Sequence, residues 1–305
     1  MRAAGPGQVP TIWVQDYHLM QVPNIVNTLA QQEGLECRIG YFQHCPFPPW
    51  DMIKIHPWKD IFLQGMLGSH LIGFQSTDYA LNFLDCCERG LGTRVDRGRM
   101  VVEAGDSREG GRRVKVRALP LGIPFERFGG LAEKAPRAEF DVRKERKVVI
   151  SVDTLDYTKG LHHRIAAFQL LLEEYHIHRH KVVLYQVCVA SRHQEGAQVL
   201  QLLQAEVEAV NARFGDSSWT PVVLITRPLE EAELAALYRD ADIALVLPLR
   251  DGMNLTGKEF VACRIFRNKP GVLLLSAFTG AADQMAEALI VNPYESRRVA
   301  DYLHR

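Results

Sequence analysis

The sequence predicts an α/β fold built as two doubly wound units. Short β-prone apolar runs alternate with segments of helical periodicity along the whole chain, and the alternation starts afresh beyond a charged stretch near the middle. The chain has 305 residues, 47% of them hydrophobic, enough for about two domains with real cores. Strands separated by helices run parallel through right-handed crossovers. In order, Thr11–Val14 is a compact β-prone run, and Ile25, Leu29 and Ala30 then recur at helical spacing toward Gly34. Cys37–Phe42 and His70–Phe74 are the next strands, with a helix over Lys59–Leu67 between them. Ser76 is placed to cap a helix that runs to about Arg89, with Gly90 and Gly92 as its stop. Met100–Val102 and Val114–Val116 flank a charged, glycine-rich hairpin region, Glu103–Arg113. A seam is expected after Leu121-Gly-Ile-Pro124, giving domains of residues 1–124 and 125–305.

The second half repeats the pattern more clearly. Strands are expected at Lys147–Val152, Lys181–Val189, Val222–Ile225, Ile243–Leu247 and Val272–Leu275. Helices are expected at Leu161–Glu174, Glu195–Phe214, Glu230–Tyr238, through Glu259 to Phe266, and from Ala281 onward. No internal repeat or low-complexity segment interrupts them.

Composition narrows the function. Lys+Arg number 36 and Asp+Glu 36, so nothing in the bulk charge holds this chain to nucleic acid or an anionic membrane. The six cysteines form no C-x-x-C pair and read as free or buried thiols of a reducing compartment. No signal segment follows Met1, and no apolar stretch reaches the roughly 20 residues a membrane span requires. A soluble, cytoplasmic protein is expected.

In open α/β sheets, ligands lie beyond the carboxyl ends of the strands and at helix N-termini. Two such units facing each other would hold a ligand in the cleft between them. Trp13-Val-Gln-Asp-Tyr-His-Leu19 ends a strand with Asp16, an aromatic ring and an imidazole; the plain alternative is a polar turn with Asp16 as a cap. Phe42-Gln-His-Cys-Pro-Phe-Pro-Pro-Trp50 carries His44 into a proline-stiffened aromatic loop, suited to covering the apolar face of a hexose or, equally, a packed turn. Val152–Gly160 ends a strand at a glycine turn where Lys159 is either a phosphate-neutralising cation or a solvated lysine. Arg192, after Ala190-Ser, is a second cation at the same sheet edge or a surface arginine. The most specific stretch is Pro248-Leu-Arg-Asp-Gly-Met-Asn-Leu-Thr-Gly-Lys-Glu-Phe260. There Asp251 and Glu259 flank a loop-to-helix entry. Each carboxylate is able to grip a pair of sugar hydroxyls, with backbone N–H groups aimed at phosphates between. The histidines of Tyr175-His-Ile-His-Arg-His180 lack regular co-ligands and read as a solvated loop, and Cys86-Cys87 read as helix packing.

The segments WVQDYHL, FQHCPFPPWD, GFQSTDYALNFLDCC, LGIPFERF, VDTLDYTKGL, SR at 191–192, LRDGMNLTGKEFVA and ALIVNPYE occur in that order. With them the chain resembles the trehalose-6-phosphate synthases, retaining glycosyltransferases of the GT-B type, and is most similar to animal-type sequences. The resemblance implies two Rossmann-like domains facing a cleft, with the first domain incomplete and both ends truncated. It implies glucose transfer from UDP-glucose to glucose 6-phosphate with retention, giving trehalose 6-phosphate. No metal or other cofactor is implied, UDP-glucose being a substrate. By this resemblance Asp16, His44 and Asp251 lie at the reacting sugars. Lys159, Asn254, Leu255 and Glu259 hold the nucleotide sugar, and Arg192 holds the acceptor phosphate. The implied partners are a sugar phosphate and a nucleotide sugar, with no nucleic acid and no membrane; a homo-oligomer or a synthase complex is open. Three departures stand out: Thr154 where the family has an arginine, Leu-Thr-Gly-Lys-Glu for the usual LVAKE, and Ala277 for a usual glutamate. The competing expectation is a catalytically inactive homologue acting as a regulatory or structural subunit. A third is a transferase with the same donor and another acceptor. From the parts the resemblance finds missing, the chain alone is expected to show little turnover.

Overall fold

The computed structural model describes residues 9–104, 111–140, 146–189, 195–265 and 270–305. The chain divides into two units, Met1–Leu121 and Gly122–Arg305.

The first unit runs β1 (Thr11–Gln15), α1 (Val22–Gln32), β2 (Arg38–Gln43), α2 (Trp50–Ile53), α3 (Lys59–Met66), β3 (Leu71–Phe74), α4 (Thr77–Leu91), β4 (Arg94–Asp96), β5 (Val101–Ala104) and β6 (Arg112–Ala118). Its six-stranded sheet has the order β1-β2-β3-β6-β5-β4. β1, β2, β3 and β6 are mutually parallel, whereas β6, β5 and β4 form an antiparallel meander. The antiparallel pairing of β5 with β6 is the hairpin expected around Glu103–Arg113, and β4 is a strand the sequence reading did not place. The connections between β4, β5 and β6 are too short for a crossover, which takes a dozen residues or more. The core gathers Ile39, Tyr41, Phe47, Leu63, Met66, Ile72, Phe74, Phe83 and Val116. In α4 the Ser76 hydroxyl accepts from the Tyr79 N–H at 3.3 Å, as a capping serine should. The helix passes through Gly90, against the expected stop. It ends at Gly92, whose φ of 65° places it in the left-handed region that closes helices. In the proline loop, the packed alternative holds at Phe47. Phe47 is buried against Phe74 and Phe83, with ring centroids 5.6 and 5.3 Å apart, and Pro49 leads directly into α2. Phe47 anchors the loop to the core, while Cys45 and Pro49 are exposed.

The second unit runs α5 (Phe125–Lys134), β7 (Lys147–Thr154), α6 (Leu161–Glu174), β8 (Val182–Val189), α7 (Glu195–Phe214), β9 (Val222–Ile225), α8 (Glu231–Asp240), β10 (Ile243–Val246), α9 (Thr256–Cys263), β11 (Val272–Ser276), β12 (Leu289–Val291) and α10 (Ser296–His304). All pairings in its sheet, ordered β12-β11-β10-β7-β8-β9, are parallel. β7 and β8 are nearly continuous apolar runs because helices cover both faces. The chain moves outward from β7 to β9, then returns to β10 on the other side of β7. That reversal makes the β7/β10 junction the topological switch point, where open α/β sheets take their ligands.

Two expectations fail here. The helix from Ala281 is a single 3-10 turn, Gly280–Asp283, followed by β12 and α10. The Thr279 side chain caps that turn, and Gly280 lies so close to the Gly252 carbonyl that a Cβ would stand 2.3 Å from it. The helix through Glu259 ends at Cys263, and its expected end at Phe266 lies outside the described residues. The histidine loop is also more than solvated. His176–His178 forms a 3-10 turn, and His178 Nε2 lies 2.9 Å from His304 Nδ1 of α10. Cys86 and Cys87 are buried in α4, and among the described residues no disulfide joins any of the six cysteines.

Candidate functional site

In the second unit the switch point brings together two loops far apart in sequence. The loop after β7 contains Lys159, and the loop after β10 contains Asp251. They are tied by backbone: the Leu249 N–H donates to the Thr158 carbonyl at 2.7 Å. Gly160, at φ 66°, turns the chain from the Lys159 loop into α6 and packs against the Leu247 carbonyl. Only a residue without a Cβ fits that approach.

The polar network built there is continuous. Lys159 Nζ lies 2.7 Å from Asp251 Oδ2 and 3.9 Å from Asp153 Oδ1. Asn254 Nδ2 donates to the same Asp251 oxygen at 3.2 Å, and Asn254 Oδ1 accepts from the Gly257 N–H at 3.3 Å, capping α9. The Asn254 N–H donates to Thr279 Oγ1 at 2.9 Å, so the site loop is braced by the strand-end turn after β11. Beneath Lys159, Arg164 is fully buried. Its Nη1 donates to Ser151 Oγ at 2.6 Å, and its Nη2 donates to Asp153 Oδ2 and the Lys159 carbonyl, each at 2.7 Å. Burial pulls the Lys159 ammonium down, but the Asp153 and Asp251 carboxylates together outweigh it and hold its pKa above the ordinary value. Burial likewise pushes the Asp153 carboxyl up, against Arg164 and Lys159.

Glu259 lies in the first turn of α9, where a carboxylate suits the positive helix end. The Tyr238 hydroxyl reaches its Oε2 at 3.3 Å. Burial raises the Glu259 pKa, with the Tyr238 bond opposing and Glu231 adding to it. Leu255 is the residue before α9 and carries no side-chain cap. Thr154 is exposed at the carboxyl end of β7. Arg192 lies outside the described residues.

In the first unit, Asp16 and His44 immediately follow the adjacent parallel strands β1 and β2. Asp16 Oδ1 accepts the His44 N–H at 3.1 Å and the Cys45 N–H at 3.4 Å, and does not cap the turn that follows it. The His44 ring Nε2 lies 2.8 Å from Gln15 Oε1 and its edge meets Phe42 at 4.8 Å. Asp16 itself has φ 66° and ψ 169°, a conformation essentially reserved for glycine. Strain of this kind, held by surrounding bonds, gathers at functional sites.

The structure thus joins Lys159, Asp251 and Asn254 in one network and Asp16 with His44 in another. Ser151, Asp153, Arg164, Tyr238 and Thr279 were not legible as site residues. Arg164 left one signal: it lies among Leu161, Ile165 and Phe168 on the buried stripe of α6, where an arginine needs an acid. Among the described residues no group of three or more His, Cys, Asp or Glu is placed to hold a metal ion, and no helix is long and apolar enough to cross a membrane.

Comparison with known proteins bears on this geometry. The profile of glycosyltransferase family 20 matches residues 6–305. The chain belongs to glycosyltransferase family 20. A bifunctional trehalose-6-phosphate synthase/phosphatase of Thermoproteus tenax is 40% identical over 302 residues, covering 95% of this chain and 39% of its own length. A trehalose-6-phosphate synthase of Mycobacterium sp. strain KMS is 37% identical over 310 residues, covering 98% of this chain and 62% of its own. The UDP-forming α,α-trehalose-phosphate synthase of Burkholderia xenovorans, solved in complex with glucose-6-phosphate, has a TM-score of 0.87 at 34% identity and covers 97% of this chain and 65% of its own. An E. coli structure bound with UDP-2-fluoro glucose has a TM-score of 0.85 at 32% identity and covers 97% of this chain and 64% of that one. The α/β fold of this family 20 chain is therefore that of the synthases, and the chain spans 39% to 65% of the length of these relatives.

Proposed function

We propose that the protein carrying this chain transfers glucose from UDP-glucose to glucose 6-phosphate with retention of configuration. The observation that carries this is the switch-point network of the second unit, supported by similarity to synthases solved with glucose-6-phosphate and with a UDP-sugar analogue. In this reading Lys159 meets the donor diphosphate, Asn254 and Leu255 present backbone at it, Glu259 takes the ribose hydroxyls and Asp251 the donor glucose. Arg192 is assigned the acceptor phosphate. Asp16 and His44 serve the sugars from the first unit. Charge develops on the leaving UDP, so fixed cations and N–H dipoles lower the barrier, with no resident metal in the scheme. Front-face attack then depends mainly on orientation.

A second reading, nucleotide binding without turnover, is favoured by Thr154. An exposed hydroxyl stands at the β7 end where the resemblance expects a guanidinium, a charge-assisted contact worth about 1.5–3 kcal/mol. Calorimetry with UDP tests what the two readings share: binding is expected, and Glu259→Ala should abolish it. Equal binding by both forms sinks the ribose assignment. UDP release from UDP-glucose by the full-length protein, with and without glucose 6-phosphate, separates the readings. Acceptor-dependent release supports transfer, and binding with no release supports the inactive homologue.

A further inference from the structure

We propose that Arg164 is a positioning residue that sets the diphosphate affinity of the site through Lys159 while touching no ligand itself. The inference rests on reading the second unit as a nucleotide-sugar site. Three observations carry it. Arg164 has no exposed surface, and its two terminal nitrogens are committed to Ser151, Asp153 and the Lys159 carbonyl. It is therefore no ligand for a bound anion. Those contacts tie together three successive elements on the β7 side of the switch point: Ser151 and Asp153 belong to β7, the Lys159 carbonyl to the turn beyond it, and Arg164 to the first turn of α6. One planar guanidinium thus fixes the turn against the strand by a fork that an ammonium cannot reproduce. Asp153, moreover, sits between two cations, with one oxygen on Arg164 at 2.7 Å and the other 3.9 Å from Lys159. The chain Arg164–Asp153–Lys159–Asp251 alternates in sign and ends at the opening of the loop, so the buried pair holds the lysine from below and leaves its ammonium facing Asp251.

Stability alone does not account for this arginine. Its Nε is buried and has no hydrogen-bond partner among the described residues. A buried ion pair of that kind is often no more stabilising than apolar residues of equal volume. A buried arginine that holds both Asp153 and the Lys159 carbonyl is placed to serve the loop as well as the fold.

The test separates phosphate from nucleoside. UDP is titrated by calorimetry, and uridine by ligand-observed NMR, into the unaltered chain, Arg164→Met, Lys159→Ala and the double variant. Arg164→Met should weaken UDP about tenfold, equivalent to about 1.4 kcal/mol, and leave uridine unchanged. It should cause no further loss in the Lys159→Ala background, because the arginine acts through that lysine. If Arg164→Met does not fold, Arg164→Lys answers the same question. It keeps a charge against Asp153 and loses the fork, so UDP should weaken while uridine holds. Parallel loss of UDP and uridine, or losses that add in the double variant, would overturn the positioning role alone. No UDP binding by the unaltered chain would overturn the nucleotide reading and this inference with it.

Discussion

Gly160→Ala puts the geometry of the switch point under direct strain. Gly160 occupies φ 66°, and a Cβ built there would lie 2.2 Å from the Leu247 carbonyl oxygen and 3.2 Å from a Leu249 methyl. The left-handed conformation costs an ordinary residue roughly 1–2 kcal/mol. The contact with a backbone oxygen cannot be relieved by turning a side chain, and overpacking of this kind costs about 1–3 kcal/mol more. The expected loss is therefore about 2–5 kcal/mol, confined to the second unit. Relief requires the Lys159 turn and the Asp251 loop to separate, breaking the Leu249-to-Thr158 hydrogen bond at 2.7 Å. Hydrogen exchange of the β7 and α6 amides reads that unit separately from the first, where a single melting curve would mix the two. UDP affinity should fall in the same variant. A loss below about 0.5 kcal/mol, with protection and UDP binding unchanged, would refute the account of how the two loops meet.

Gly257→Ala should do the opposite. Its Cβ would meet Leu273 and Leu275 methyls at 3.4–3.7 Å, ordinary contact, and alanine in a helix is favoured by about 0.8–1 kcal/mol. A raised Tm is expected, and a lowered one would mean the first turn of α9 is tighter than described. His178 gives a pH dependence. Burial first, then the neighbouring His304 and Lys181, hold its pKa below the ordinary 6.5. The unfolded chain therefore takes up the proton first. Stability is full above that value and declines as pH falls through the lower folded one. His162, raised by its bond to Glu206, contributes in the other direction. His178→Gln should flatten the difference in a Tm series from roughly pH 8 to pH 5; an unchanged slope would remove His178 as its source.

Most of the architecture was legible because the second unit obeys simple periodicity. Leu161–Glu174, Glu195–Phe214 and Val222–Ile225 have the bounds expected of them. What failed did so for tertiary reasons. Gly90 reads as a helix stop, but in place it lies under the Trp50 ring, where a Cβ would be 3.0 Å from Cζ3; its lack of a side chain serves packing. The proline loop left a sugar-facing and a packed reading equally open, and only the fold shows that Phe47 completes the cluster of Phe74 and Phe83. Arg94–Asp96 is too short to show any period.

The site divides along the same line. Residues at strand ends followed by turn signals, such as Asp16, Lys159 and Asp251, stand out because apolar periodicity stops where they begin. Their partners do not stand out. Ser151 and Asp153 lie within β7, and Arg164 within a helix, so each is hidden in a segment whose pattern says only that it is buried. Asp16 shows the limit most clearly. Nothing in Gln-Asp-Tyr announces a glycine-like backbone, which costs an aspartate about 1–3 kcal/mol. The twist is held because parallel pairing sets Gln15 against Phe42, bringing the His44 and Cys45 N–H groups just beyond β2 within reach of the carboxylate. Register between two strands creates that site, and register is a property of the folded sheet rather than of either segment read separately.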